Sequence, residues 1–165
     1  MGKIIIDDDC FAPRKFIYLE YKGPDPFALI KAGNKLFRRI FEVGSSKIAE
    51  RRFMWDWTGD PIQLYEHFVI RKEVSNYTTF YFSLRIVGFK SKSRNEGSIR
   101  IEFEAQARHQ YESNNWFMTN LWWLYWYIFY AKARQNYLKL CKEYADKLLT
   151  AIKEMYKIGN INPVI

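Results

Sequence analysis

From Trp116 to Ile158 the chain runs without a glycine or a proline, after the capping-prone cluster Ser113-Asn114-Asn115 and before Gly159. Those two residue types are the strongest local breakers of a helix, so their absence predicts one very long helix, or two in line. At about 1.5 Å per residue, roughly 40 residues extend about 60 Å. That exceeds the width of a small sheet, so the helix must break or carry an end, residues 138–158, beyond the body of the protein to meet a partner.

The two halves of this stretch differ in kind. In the second, Leu138, Cys141, Ala145, Leu148, Ile152 and Met155 recur at steps of three and four, a coiled-coil-like seam, and Lys132, Arg134, Lys139, Lys142, Lys147, Lys153 and Lys157 cover much of the rest. A homo-oligomer formed through Leu138, Cys141, Ala145, Leu148 and Ile152 is the expected use of that seam. The first half, Trp116 to Tyr130, is aromatic almost throughout. A spanning helix needs roughly 20 mostly apolar residues, whereas this run is shorter, closes on Lys132 and Arg134, and is rich in the Trp and Tyr that prefer membrane interfaces. An interfacial helix wants one polar face, which the run lacks. A helix apolar all round is normally buried, so it is expected to lie against a sheet, with its far side covered by the other helix, a second copy or a ligand.

The sheet is announced by a change of period. Between Lys47 and Tyr111 apolar residues alternate, with breakers at Gly59-Asp60-Pro61, at Ser75-Asn76 and across Lys90 to Gly97, which predicts four strands in an antiparallel meander. Ile99, Ile101, Phe103, Ala105 and Ala107 point one way in the last; Phe80, Phe82, Leu84 and Ile86 do so before it, and Phe53, Trp55 and Trp57 in the first. The small Ala105 and Ala107 leave room for a helix. Lys15 to Tyr21 predicts a further strand, ended at Gly23-Pro24. Asp25 as N-cap and Pro26 at the first turn then open an amphipathic helix with Phe27, Ile30, Gly33, Phe37, Ile40 and Phe41 inward, Lys31, Lys35, Arg38 and Arg39 outward, and Gly44 as its stop. Residues 1–13, with Ile4 to Ile6, Asp7-Asp8-Asp9 and Pro13, fit a short strand or an ordered arm. The fold class is therefore α+β: a curved antiparallel sheet of about five strands packed against a long C-terminal helix, with one helix after the first strand, in a single domain over 1–165.

This order of elements, with Lys15 to Tyr21 as first strand, Phe27 to Val43 as the helical insertion and Trp116 onward as the gripping helix, resembles the helix-grip fold of the START and Bet v 1-like superfamily. The resemblance implies an apolar pocket between bent sheet and C-terminal helix that takes lipids, hormones or polyketides. It rests on element order, and the four strands after the first helix are fewer than the six usual there.

Composition narrows the function classes. At 165 residues the chain can bury a core without staples, and 19% aromatic content leaves rings to spare for lining a site. A net charge of +8 favours anionic partners: nucleic acid, acidic lipid or an acidic protein. Cys10 and Cys141 show no framework spacing and are expected as free thiols in a reducing cytoplasm, with no signal peptide or lipid anchor indicated. No phosphate loop, nucleophile elbow or zinc spacing occurs, so no cofactor or metal is expected. A sheet that brought His67 and His109 together could set one beside Glu66 or Glu104 as an acid–base pair, but with two His and no spacing signal, satisfied structural histidines are the expected reading. Asp7-Asp8-Asp9-Cys10 fits a solvated acidic arm docked on the protein's own basic surface better than a metal site.

The expectation is a non-enzymatic binding protein whose Phe53, Trp55 and Trp57 on the sheet face Trp122, Trp126 and Tyr130 on the helix across a pocket for a hydrophobic or amphipathic small molecule. The alternative is a basic binding module or assembly subunit, with Lys90, Lys92 and Arg94 contacting nucleic acid or an acidic protein partner.

Overall fold

The computed structural model describes residues 2–113 and 115–158. The alternating segments form β1 (Gly2–Asp9), β2 (Phe16–Pro24), β3 (Ile48–Asp56), β4 (Ile62–Glu73), β5 (Thr78–Lys90) and β6 (Glu96–Ser113). The helical segments form α1 (Ala28–Phe41), α2 (Trp116–Tyr125) and α3 (Ala131–Tyr156), the last two joined through a π turn over Trp126–Tyr130. All six strands belong to one curved, unclosed antiparallel sheet, so one strand more than expected is present.

β6 is its spine. One edge of this long strand pairs along its length with β5. The other edge pairs with β2 over Glu96 to Glu104 and with β1 over Gln106 to Ser113. Residues 1–13 are thus no loose arm: the apolar run Ile4 to Ile6 is held by ladder hydrogen bonds opposite His109 to Tyr111. From β5 the sheet continues through β4 to the edge strand β3, whose register shifts between Glu50 and Arg52.

Alternation sorts the two faces as the sequence predicts. Phe80, Phe82, Leu84 and Ile86 of β5, and Ile99, Ile101, Phe103, Ala105 and Ala107 of β6, are all buried on the inner face. On the outer face opposite charges meet across strands, Arg85 with Glu102, Arg100 with Glu20 and Arg108 with Asp7. Such exposed pairs add little individually but keep this face wet.

The inner face is covered by α1 and α3. α3 turns Cys141, Ala145, Leu148 and Ile152 into the core, each with no exposed surface. The seam expected to join two copies is therefore consumed inside one chain, and residues 138–156 lie on the sheet and α1 instead of projecting. Gly159, expected to end the helix, is outside the described residues. α1 buries Leu29, Gly33, Leu36, Phe37 and Phe41. A Cβ on Gly33 would come within 3.1 Å of the Phe37 ring, and Phe68 of the sheet lies just beyond.

The ends of α1 differ from the sequence reading. Its N-cap is Phe27, which has no side chain able to accept from the first turn, while Asp25 accepts from Lys31. The cap comes from the far end of the chain: the Tyr156 hydroxyl accepts from Leu29 N–H at 2.9 Å and donates to the Pro26 carbonyl at 2.8 Å. Burial pushes that hydroxyl up to about 12, so it stays protonated and able to donate. The helix stops at Glu42, which takes the left-handed conformation (φ 54°), two residues before Gly44.

Cys10 and Cys141 are joined in a disulfide, not free. β1 leads into a turn whose Cys10 N–H donates to the Ala105 carbonyl, which places its thiol under α3. The expectation of a reducing cytoplasm rested in part on the cysteines showing no pairing signal, and it loses that support. No helix among the described residues is long and apolar enough to cross a membrane.

Two outcomes follow from these ties. Replacing Tyr156 with Phe leaves the buried Leu29 N–H without its partner and is expected to lower unfolding free energy by about 1–3 kcal/mol, measured by urea denaturation. The disulfide closes a sequence separation of 131 residues, for which the loop-entropy ceiling is about 5 kcal/mol. A lower denaturation midpoint in reductant is expected, and an unchanged one would show that the two thiols are not joined.

Candidate functional site

Asn115 opens α2 by accepting from Phe117 N–H at 3.2 Å. Beyond it the residues that reach inward are Trp122, Trp126 and Tyr130, at steps of four. In an α-helix each such step overshoots by about 40°. The wider π turn over Trp126–Tyr130 takes up part of that drift and keeps the rings in file. They stack in sequence, with centroids 5.0 Å and 4.6 Å apart, and Tyr111 of β6 stacks on Trp122 at 5.1 Å. Ile4 and Ile6 of β1 pack beneath.

Under the rings lies a closed polar group. The Thr78 hydroxyl is 2.9 Å from His109 Nδ1 and 2.5 Å from the Tyr130 hydroxyl. His109 Nε2 lies 3.4 Å from Asp8 Oδ2, close enough for charge attraction yet not aligned as a hydrogen bond. Arg134 clasps both oxygens of Asp8 and rests over the Trp126 ring. Burial pulls the His109 imidazole below its ordinary range, against the attraction of Asp8. The neutral ring fits a chain in which Tyr130 donates to Thr78, Thr78 to Nδ1, and Nε2–H faces Asp8. Thr78 and His109 have no exposed surface, so no reactant reaches them. The group pins the aromatic helix to β1, β5 and β6.

The sheet does not bring His67 and His109 together. His67 is on the outer face, 2.9 Å from the Ser83 hydroxyl, whereas His109 is on the inner face. Glu66, next to His67 on the strand, points inward between Leu64 and Phe68 and cannot act with it. Burial, helped by the nearby Glu50 charge, raises the Glu66 carboxyl to about 7, and its Oε2 has no hydrogen-bond partner. Of the acidic trio, Asp7 pairs with Arg108, Asp8 with Arg134, and Asp9 accepts from Phe11 N–H. Asp7 and Asp8 dock on the protein's own cations, though Asp8 is buried where a solvated arm was expected, and Asp9 caps its own turn instead. Among the described residues no group of three His, Cys, Asp or Glu side chains is placed to hold a metal ion.

The six rings expected to face one another across a single pocket form two separate groups. Phe53, Trp55 and Trp57 stack along the β3 edge at 6.0 Å and 5.7 Å, with Trp55 against Phe27 of the α1 entry. All three are substantially exposed. Trp122, Trp126 and Tyr130 lie on β1 and β6, across the sheet. The basic trio is also divided in use: Lys92 Nζ donates to the Trp57 carbonyl at 2.7 Å and Lys92 N–H to Asp60, clamping the loop before β4.

What sequence reasoning missed is an open hollow on one flank of α2. It measures about 540 Å³ and is lined by Tyr77, Tyr111, Leu121, Trp122, Tyr125 and Phe129 among others. That volume lies within the range of small-molecule sites, which are mostly apolar with a few polar groups. A hollow of about 600 Å³ at the opposite end of β6 is edged by Arg100 and Glu20, which satisfy each other. The aromatic hollow is the better candidate. No protein-family model matches this sequence, and no curated protein matches it.

The buried carboxyl has a defined pH signature. Glu66 binds its proton more tightly folded than unfolded, so its contribution is full below its ordinary value of 4.5 and is lost as pH rises to about 7. His109 runs the other way, its stability present above 6.5 and lost as pH falls below that value. Replacing Glu66 with Gln is therefore expected to stabilise the protein above neutral pH by up to about 3 kcal/mol and to change little at pH about 4. Thermal melts at both pH values measure the difference.

Proposed function

We propose that this chain is a non-enzymatic binding protein that takes a hydrophobic or amphipathic small molecule into the aromatic hollow beside α2. The observation that carries this reading is the hollow itself. Met118, Leu121, Ile128 and Phe129 supply apolar walls, and Tyr77, Tyr111 and Tyr125 bring rings with a hydroxyl at one end. Such walls gain by leaving water, and a phenol can meet the polar end of an amphipath. The closed group of Thr78, His109 and Tyr130 beneath fixes the helix that forms one wall, which lowers the ordering cost of binding. The resemblance to the helix-grip fold remains part of this proposal, supported by the order strand, helix, antiparallel strands and long C-terminal helix.

The reading as a basic module for nucleic acid or an acidic protein draws on a different surface. Lys35, Arg38 and Arg39 stand exposed on α1 and make no ion pair among the described residues.

Titration with oleate below its micellar concentration, followed by tryptophan fluorescence, tests the first reading. Saturable binding at one site is expected, and Leu121→Arg and Tyr111→Ala should each weaken it about tenfold. A linear, non-saturating response of the native protein would sink it.

A further inference from the structure

A helix that is apolar all round and buried on one side must present apolar surface on the other. Along the crest of α2 and the π turn, Trp116, Phe117, Leu124, Tyr127 and Ile128 are between 57% and 79% exposed. No residue from Trp116 to Tyr130 carries a charge. A contiguous apolar surface of this kind marks a place of interaction.

We propose that this crest docks on the surface of a lipid bilayer bearing acidic headgroups. Its side chains suit that boundary: Trp and Tyr have an apolar body and a polar tip, and Phe, Leu and Ile between them reach deeper. The run is too short to span and lies along the surface instead. An interfacial helix also needs a side that is not lipid-facing. The sequence of α2 has none, and the fold supplies it, because Trp122, Trp126 and Tyr130 are stacked away onto Tyr111, Ile4 and Ile6.

Charge selects the partner. The crest passes without a break into α3, whose exposed side carries Lys132, Lys139, Lys142 and Lys147 against Glu143 and Asp146. Those four lysines make no ion pair among the described residues, in a chain of net charge +8. An acidic bilayer neutralises them where they flank the inserted rings. A second copy seated on the same crest would set two basic helices against each other.

This inference goes beyond uptake of a small molecule. Leu124 and Ile128 of the crest also line the hollow, whereas Phe117 and Tyr127 line no part of it, so the crest can be altered at those two positions without touching the hollow. Co-sedimentation with vesicles of phosphatidylcholine alone, or mixed with phosphatidylglycerol, is the test, together with tryptophan quenching by brominated acyl chains. Native protein is expected to bind the acidic vesicles and be quenched. Binding to the neutral vesicles should be about tenfold weaker, as should binding to acidic ones by Phe117→Glu/Tyr127→Glu and by Lys132→Glu/Lys139→Glu. Both variants should keep the native circular dichroism and the native oleate titration. Native protein left in the supernatant, equal binding to both vesicle types, or binding without quenching would each overturn the proposal. So would a dimer in analytical ultracentrifugation that Phe117→Glu/Tyr127→Glu reverts to monomer, since the crest would then belong to a second copy.

Discussion

The structure depends on one contact, the packing of α3 on the inner face of the sheet. Cys141, Ala145, Leu148 and Ile152 form a narrow stripe without bulky rings, and β6 answers with Ala105 and Ala107. Small residues on both sides let helix and sheet approach closely, and close packing is where dispersion and exclusion of water stabilise most. The disulfide joins the same helix to the turn after β1. Tyr156, near its end, caps α1, so the helix that covers the sheet also holds the second helix in place.

That contact decides where the aromatic segment goes. Once α3 is laid across the sheet, the continuous helix before it passes over the far end of β6 and over β1, where little sheet remains to cover it. Only one file of rings finds a partner there. Thr78, His109 and Asp8 give this end a polar anchor that an apolar contact would lack, and orientation follows from it: Tyr130 and Arg134 have specific atoms to meet. The remaining rings face outward, which leaves a hollow on one flank and an apolar crest above. Hollow and crest are both consequences of a helix longer than its sheet is wide.

Much of this was legible in advance where a period was present. Alternation assigned Phe80, Phe82, Leu84 and Ile86 of β5 and Ile99, Ile101, Phe103, Ala105 and Ala107 of β6 to the inner face correctly, because a strand has only two faces, but it did not pick out the polar Thr78 and His109 buried on that same face. Steps of three and four found the stripe at 138–152, though not its partner: a stripe that suits a coiled coil suits a sheet of small residues equally well. The aromatic run had no period to read, since a helix apolar on all sides carries no phase, and burial was the wrong inference for most of it. The hollow left no local signal either, as Tyr77, Tyr111 and Phe129 come from three distant places in the chain.

The sequence by itself determined the local elements and their faces. Backbone sterics and side-chain spacing act over a few residues, and that is the range over which a chain can be read. Tertiary structure alone decided what those faces meet: β1 on β6, Cys10 on Cys141 across 131 residues, Tyr156 on the start of α1, and Asp8 beneath His109. Those pairings depend on which surfaces fit once the whole chain is folded. No local pattern encodes that a seam will be spent inward and that Phe117, Leu124, Tyr127 and Ile128 will be left facing out.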